Sequence, residues 1–93
     1  MGNTPWLGDA CSLVDAYRSG ERSPVEDTQA CLDAIEASEL NCFSHVAAEE
    51  ALRSAAQADV SAPFGGVPMG VKELDKVAGW PDTEASLVFA DRV

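Results

Sequence analysis

Ala10, Leu13, Val14 and Tyr17 fall at i, i+3, i+4 and i+7, so a helix would gather them on one stripe. Asp9 can accept from the first-turn amides, Arg18 suits the negative end of the helix dipole, and Gly20 can end the helix. These signals predict a helix over about 9–19. Ser23-Pro24-Val25-Glu26 then reads as a capping box with proline at the first helical position. Val25, Thr28, Leu32 and Ile35 mark the buried face of a second helix, over about 24–38. On the helical wheel Asp27 lies well off that stripe and reads as a solvated carboxylate. Asn41 introduces a short apolar stretch, Cys42 to Val46, which reads as a strand. Ala48, Ala51, Leu52 and Ala55 form a small-residue stripe on a third helix, over about 47–59.

After Ser61-Ala62-Pro63 helical periodicity stops, and Gly65, Gly66, Pro68, Gly70, Gly79 and Pro81 crowd the remaining third. Val67 to Leu74 reads as an extended segment with side chains alternating between faces. Val67, Met69 and Val71 would point into packing, and Pro68, Gly70 and Lys72 the other way. Gly70 would leave the space beside Lys72 free of side chain, which suits a cleft. An amine in a partly desolvated cleft has its pKa lowered and can act as a general base. Lys76, the other of the two lysines, sits among charges and reads as an ordinary surface residue.

Ninety-three residues suffice for one small domain with a modest core. Sixteen acidic residues against six basic ones give a net charge of −10. That balance offers no basic patch for nucleic acid or an anionic membrane, so neither is expected as a partner. Cys11, Cys31 and Cys42 are odd in number and far apart, with no C-x-x-C. They read as reduced thiols of a cytoplasmic protein, with neither a metal site nor a disulfide framework. The opening MGNTPW carries no secretory pattern, and no apolar run approaches membrane-spanning length.

The segment FGGVPMGVKELDKVAGWPDTEAS, residues 64–86, resembles the first signature of the amidase signature family. That signature runs G-[IV]-P-[FVI]-x-[VL]-K-D, followed by an apolar-Gly turn and a T-x-x-S element. Upstream, RSGERSPVEDTQACLDAIEASELNCFSHV is similar to the family's N-terminal helices and N-x-[FY] strand. The resemblance extends from about Leu7 to Val93. It implies an α/β fold, a mixed sheet covered by helices, of which this chain would supply three helices and two or three short strands. Residues 1–93 would form the N-terminal part of a single amidase domain.

The resemblance also implies a mechanism. A lysine draws a proton, through a serine in a cis peptide bond, from a nucleophilic serine. The nucleophile attacks a linear carboxamide, an acyl-enzyme forms, and water releases the acid. Carried over by position, the family's lysine falls on Lys72 as the catalytic residue. No metal and no organic cofactor are implied. The expected partner is a small-molecule amide substrate, and a homodimer is left open for the full-length protein.

Both family serines belong to segments of the G-G-S-S-G and D-x-G-G-S kinds, which these 93 residues do not contain. The chain alone is therefore expected to be inactive. Ser86 falls on the last position of the T-x-x-S element, Thr83 to Ser86, whose serine is not the nucleophile. It reads as a polar turn residue, and Ser44 and Ser61 are likewise rejected as nucleophiles. His45 has no accompanying nucleophile motif and reads as a strand-surface or half-buried side chain. Glu73 stands where the family usually has Asp, and Asp27 where it usually has an apolar residue. Trp80 reads as core covering the loop, with a substrate-channel wall as the other reading. The sequence leaves two further readings open. One is the amidase subunit of a tRNA-dependent amidotransferase, which releases ammonia from glutamine; the other is a non-catalytic acidic interaction module of amidase ancestry.

Overall fold

Helix α1 spans Ala10–Ser19 and is closed at both ends by its own sequence. In the computed structural model, which describes residues 4–72, 75–82, 88 and 91–93, Asp9 caps it by accepting from the Ser12 N–H at 2.7 Å. That bond lowers the Asp9 carboxyl below its ordinary range. Gly20 takes the left-handed conformation (φ 81°) and donates its N–H to the Tyr17 carbonyl, as a glycine stop requires. Leu13, Val14, Ala16 and Tyr17 are buried. Burial of Leu13 and Val14 is worth about 1.5–3 kcal/mol each relative to exposure.

Helix α2 spans Pro24–Ala37, with Ser23 Oγ accepting from the Glu26 N–H at 3.1 Å. Glu26 and Asp27 in the first turn favour the positive end of its dipole. Helix α3 spans Ala48–Ala56 and packs on α2, which also touches a short 3₁₀ turn at Pro5–Leu7. Alanine and leucine side chains there are half-buried, and no residue of α3 is fully buried. Its end comes three residues before the expected position. Asp59 Oδ1 accepts from the Ser61 N–H at 3.0 Å and from the Ser61 hydroxyl at 2.5 Å, a local turn that competes with continued helix.

The burial of Asp27 corrects the sequence reading. It is fully buried (0 % exposed), not solvated. The Tyr17 hydroxyl donates to its Oδ2 at 2.8 Å, and Arg22 donates Nε–H to Oδ1 at 2.8 Å and a second N–H to the same oxygen. Val25, expected on the buried face, is exposed. The carboxylate turns inward because α1 presents a buried tyrosine whose hydroxyl needs an acceptor, and Arg22 brings the neutralising charge.

The chain divides into two units, Met1–Leu40 with Ala47–Pro68, and Asn41–Val46 with Met69–Val93. The first holds the helices. Within it Arg18 donates to the carbonyls of Val60 (2.9 Å), Ser61 (3.2 Å) and Ala62 (3.4 Å), fastening the segment after α3 to the end of α1. Gly65 lies so close to that segment that a Cβ would sit 1.8 Å from the Asp59 carbonyl oxygen.

Neither unit has a strand among its described residues, which overturns the expected strands at Cys42–Val46 and Val67–Leu74; of the latter, 73–74 lie outside the described residues. The α/β class is thus not realised among the described residues, which show three α-helices and irregular segments. Asn41 enters its segment with φ 50°, a left-handed conformation that breaks an extended run. The Val67 N–H goes to the Phe64 carbonyl and the Asp75 N–H to the Lys72 carbonyl, both turn bonds. A strand persists through ladder bonds and cross-strand side-chain pairs, and alternation in one segment supplies neither. Among the described residues, no helix is long and apolar enough to cross a membrane.

Candidate active site

Lys72 lines a cleft of about 260 Å³ that lies within the second unit. Cys42, Phe43, Ser44 and His45 form one side, Val71 and Lys72 another, and Asp75, Val77, Trp80 and Pro81 complete it. An amine, an imidazole, a hydroxyl, a thiol and a carboxylate thus share a space bounded by two aromatic rings. The His45 and Trp80 rings meet at a centroid distance of 5.2 Å and a tilt of 59°. Trp80 is half-buried and lines this cleft.

A turn shapes the Trp80 side. The Trp80 N–H donates to the Val77 carbonyl at 3.0 Å, and Gly79 sits in the left-handed region at φ 83°. A side chain at 79 would meet nothing within 4 Å, so the backbone angle and not space calls for glycine. Gly70 behaves differently. A Cβ there would lie 3.8 Å from Phe43 Cε1, an ordinary contact, so the space beside Lys72 is open.

Openness goes further than the sequence implied. Lys72 and Gly70 are exposed, and so are Met69 (82 %) and Val71 (42 %), which the alternation had placed in packing. The desolvated setting expected for the amine is not built by the described residues of this chain. Its apolar neighbours would need a second layer against which to bury, and no strand or α-helix among the described residues of this unit supplies one.

Of the serines considered, Ser44 shares the cleft with Lys72, whereas Ser61 is engaged in the Asp59 turn of the other unit. Thr83 and Ser86 of the T-x-x-S element, and Glu73, lie outside the described residues. His45 is exposed. All three cysteines are free thiols, and burial, with the nearby Asp27 charge, raises the Cys31 thiol above its ordinary value.

Two features escaped the sequence reading. Asp75 enters the cleft because its N–H closes a turn onto the Lys72 carbonyl, a spacing of three that an Asp after a lysine strand does not advertise. Lys76, read as a surface residue, is exposed and also pairs with Asp82, Nζ to Oδ2 at 2.7 Å. Arg92 approaches the same oxygen at 3.3 Å. The cue was available in Lys76 and Asp82, which flank the Gly79-Trp80-Pro81 turn.

A family profile described as Amidase matches residues 26–93, which include Lys72 and all the cleft-lining residues. The A-type subunit of the glutamyl-tRNA(Gln) amidotransferase of Renibacterium salmoninarum is 41 % identical over 89 residues, covering 86 % of this chain and 17 % of that protein. Its counterparts in Mycobacterium avium and Mycobacterium leprae are 38 % and 39 % identical over 91 residues, covering 87 % of this chain and 18 % of each protein. The chain therefore spans less than one fifth of the length of these curated relatives. No solved structure matches it. On the family match, which takes in most of its length, the chain belongs to the amidase family.

Proposed function

We propose that this chain is the lysine-bearing part of an amidase subunit that frees ammonia from the carboxamide of glutamine for a tRNA-dependent amidotransferase. The observation that carries this reading is the likeness to A-type amidotransferase subunits across 86–87 % of the chain, the Lys72 segment included. It favours the amidotransferase over a general amidase acting on linear carboxamides. The relatives are named as subunits, so a protein partner is part of the proposal, in place of a homodimer alone.

In this reading Lys72 is the base. Its neutral amine takes a proton relayed from the nucleophilic serine by the bridging serine. The serine oxygen bonds to the amide carbon, the C–N bond breaks, and the returned proton leaves with ammonia. Water then cleaves the acyl-serine ester to give the acid and free serine. The G-G-S-S-G and D-x-G-G-S segments that carry those serines are not among the 93 residues, so this chain by itself supplies the base and one face of the pocket. Desolvation of Lys72, which the exposed cleft does not provide, would come from groups packed over Met69 and Val71 in the working enzyme.

The test is ammonia release from glutamine by the full-length protein and its Lys72→Met variant. Loss of about three or more powers of ten in kcat/KM is expected, the usual cost of removing one member of a nucleophile–base unit. Activity retained by the variant overturns the assignment of Lys72. Faster turnover of simple linear carboxamides than of glutamine overturns the choice of substrate and restores the general amidase.

A further inference from the structure

We propose that Asp82 is a positioning residue: with Lys76 and Arg92 it forms a clasp that holds the Val77–Pro81 wall of the cleft that Lys72 also lines. The proposal rests on Lys72 being the base and adds the means by which another wall of its cleft is held. It starts from a weakness of the second unit, whose described residues show no ladder and no α-helix to fix the backbone. Among the described residues, turn and side-chain bonds are what act on the segment around Trp80.

Asp82 follows directly on Trp80 and Pro81, both of which line the cleft. It is gripped at three points. Its backbone N–H donates to the Arg92 carbonyl at 2.8 Å, and its carbonyl accepts from Arg92 Nε–H at 2.7 Å. Its carboxylate accepts from Lys76 Nζ at 2.7 Å. The Lys76–Asp82 pair closes residues 76–82 into a ring, inside which the Trp80 N–H bonds to the Val77 carbonyl and Gly79 supplies the left-handed turn. The wall is thus a turn tied off at its base, and the Trp80 ring reaches from it to His45.

Charge arrangement agrees with a lock. The hydrogen bond from Lys76, aided by the Arg92 charge and opposed by partial desolvation, holds the Asp82 carboxyl below its ordinary range. Asp82 is mostly covered, its side chain 15 % exposed, while Lys76 is 64 % exposed. The carboxylate is therefore the hub and the lysine the replaceable arm. Asp82, Lys76 and Arg92 all stand outside the cleft lining, so the clasp acts on where substrate sits and not on the proton transfer.

This separation gives the test. In the full-length protein, Asp82→Asn should raise the KM for glutamine about five- to tenfold and leave kcat within about twofold, the pattern of lost substrate seating. Lys76→Met should raise KM about two- to threefold, and Lys76→Arg should restore it, since only the charge and its reach are needed. Hydrogen exchange of the peptide spanning 76–82, followed by mass spectrometry, should speed up in Asp82→Asn and Lys76→Met and not in Lys76→Arg. Faster exchange with KM unchanged shows a fastening without positioning and overturns the proposal. Unchanged exchange and KM, or a loss confined to kcat, overturns it as well. If Asp82→Asn fails to fold, the exposed Lys76 pair of variants decides the matter. Failure of the Lys72 reading shows itself separately, as activity retained by Lys72→Met.

Discussion

The two units of this chain handle charge in opposite ways. In the helical unit Asp27 is fully buried, with the Tyr17 hydroxyl and the Arg22 guanidinium satisfying both of its oxygens. In the irregular unit Asp82 keeps contact with solvent and ties together an exposed lysine and a half-buried arginine. The first arrangement sits on two capped helices and the short link between them, so a buried ion pair can be positioned accurately enough to offset its desolvation. The second sits on turns, where side-chain bonds stand in for a ladder. Order in one unit comes from local sequence signals, and in the other from contacts between side chains on turns.

Removing Asp27 is the strongest way to break this comparison. Asp27→Ala should destabilise the helical unit by about 3–5 kcal/mol, because it leaves a guanidinium and a phenol facing a hole. Denaturant unfolding followed by circular dichroism reads the loss, and a small change would mean the pair is solvated in solution. The same network responds to alkali. Burial, then the hydrogen bond to Asp27, pushes the Tyr17 phenol up from its ordinary value of 10.0. The folded state holds that proton more tightly than the unfolded state. Its stabilising contribution is therefore whole below about pH 10 and is lost as pH rises toward the folded value. The phenolate absorbance of this single tyrosine should appear together with loss of helix. Tyr17→Phe should remove the alkaline step.

Smaller perturbations sharpen the contrast. Gly65→Ala forces a methyl against the Asp59 carbonyl, and about 1–3 kcal/mol of destabilisation is expected from that overpacking. Ser23→Ala removes the α2 cap and should cost about 1 kcal/mol in the same unfolding assay. In the irregular unit Met69→Ser should change the stability of this chain by less than about 0.5 kcal/mol, since the side chain is already in solvent. A larger loss there would show that Met69 is packed in solution.

What could be read from the sequence follows the same division. Asp9, Gly20 and Ser23 announce the helix ends because a cap acts within three or four residues, and the α1 stripe needs only 3.6-residue spacing. Asp27 falls off a wheel drawn around Val25, Thr28, Leu32 and Ile35 alone, and so its burial is hidden there. Tyr17 on the neighbouring stripe, ten residues earlier, is the cue that an acceptor has to lie close by. The strands are over-read for a physical reason: alternation along Val67 to Val71 fixes faces, while a ladder needs a second segment. Lys72 stands out from its glycine-spaced run, yet the cleft it lines is not readable, because Phe43 and His45 reach it from nearly thirty residues away.

The grip of Arg18 on the carbonyls of residues 60–62 also sets an order of events as the chain forms. The Tyr17–Asp27 and Arg22–Asp27 bonds span ten residues or fewer, so α1 and the start of α2 can find each other early. Arg18 must wait for carbonyls 42 to 44 residues further along. Closing that longer loop costs more chain entropy, so it follows rather than leads. On a ribosome the buried carboxylate would be locked before the residues that staple α1 to the far side of α3 have been made. An arginine at the end of the first helix thus serves as the late fastener of the helical unit.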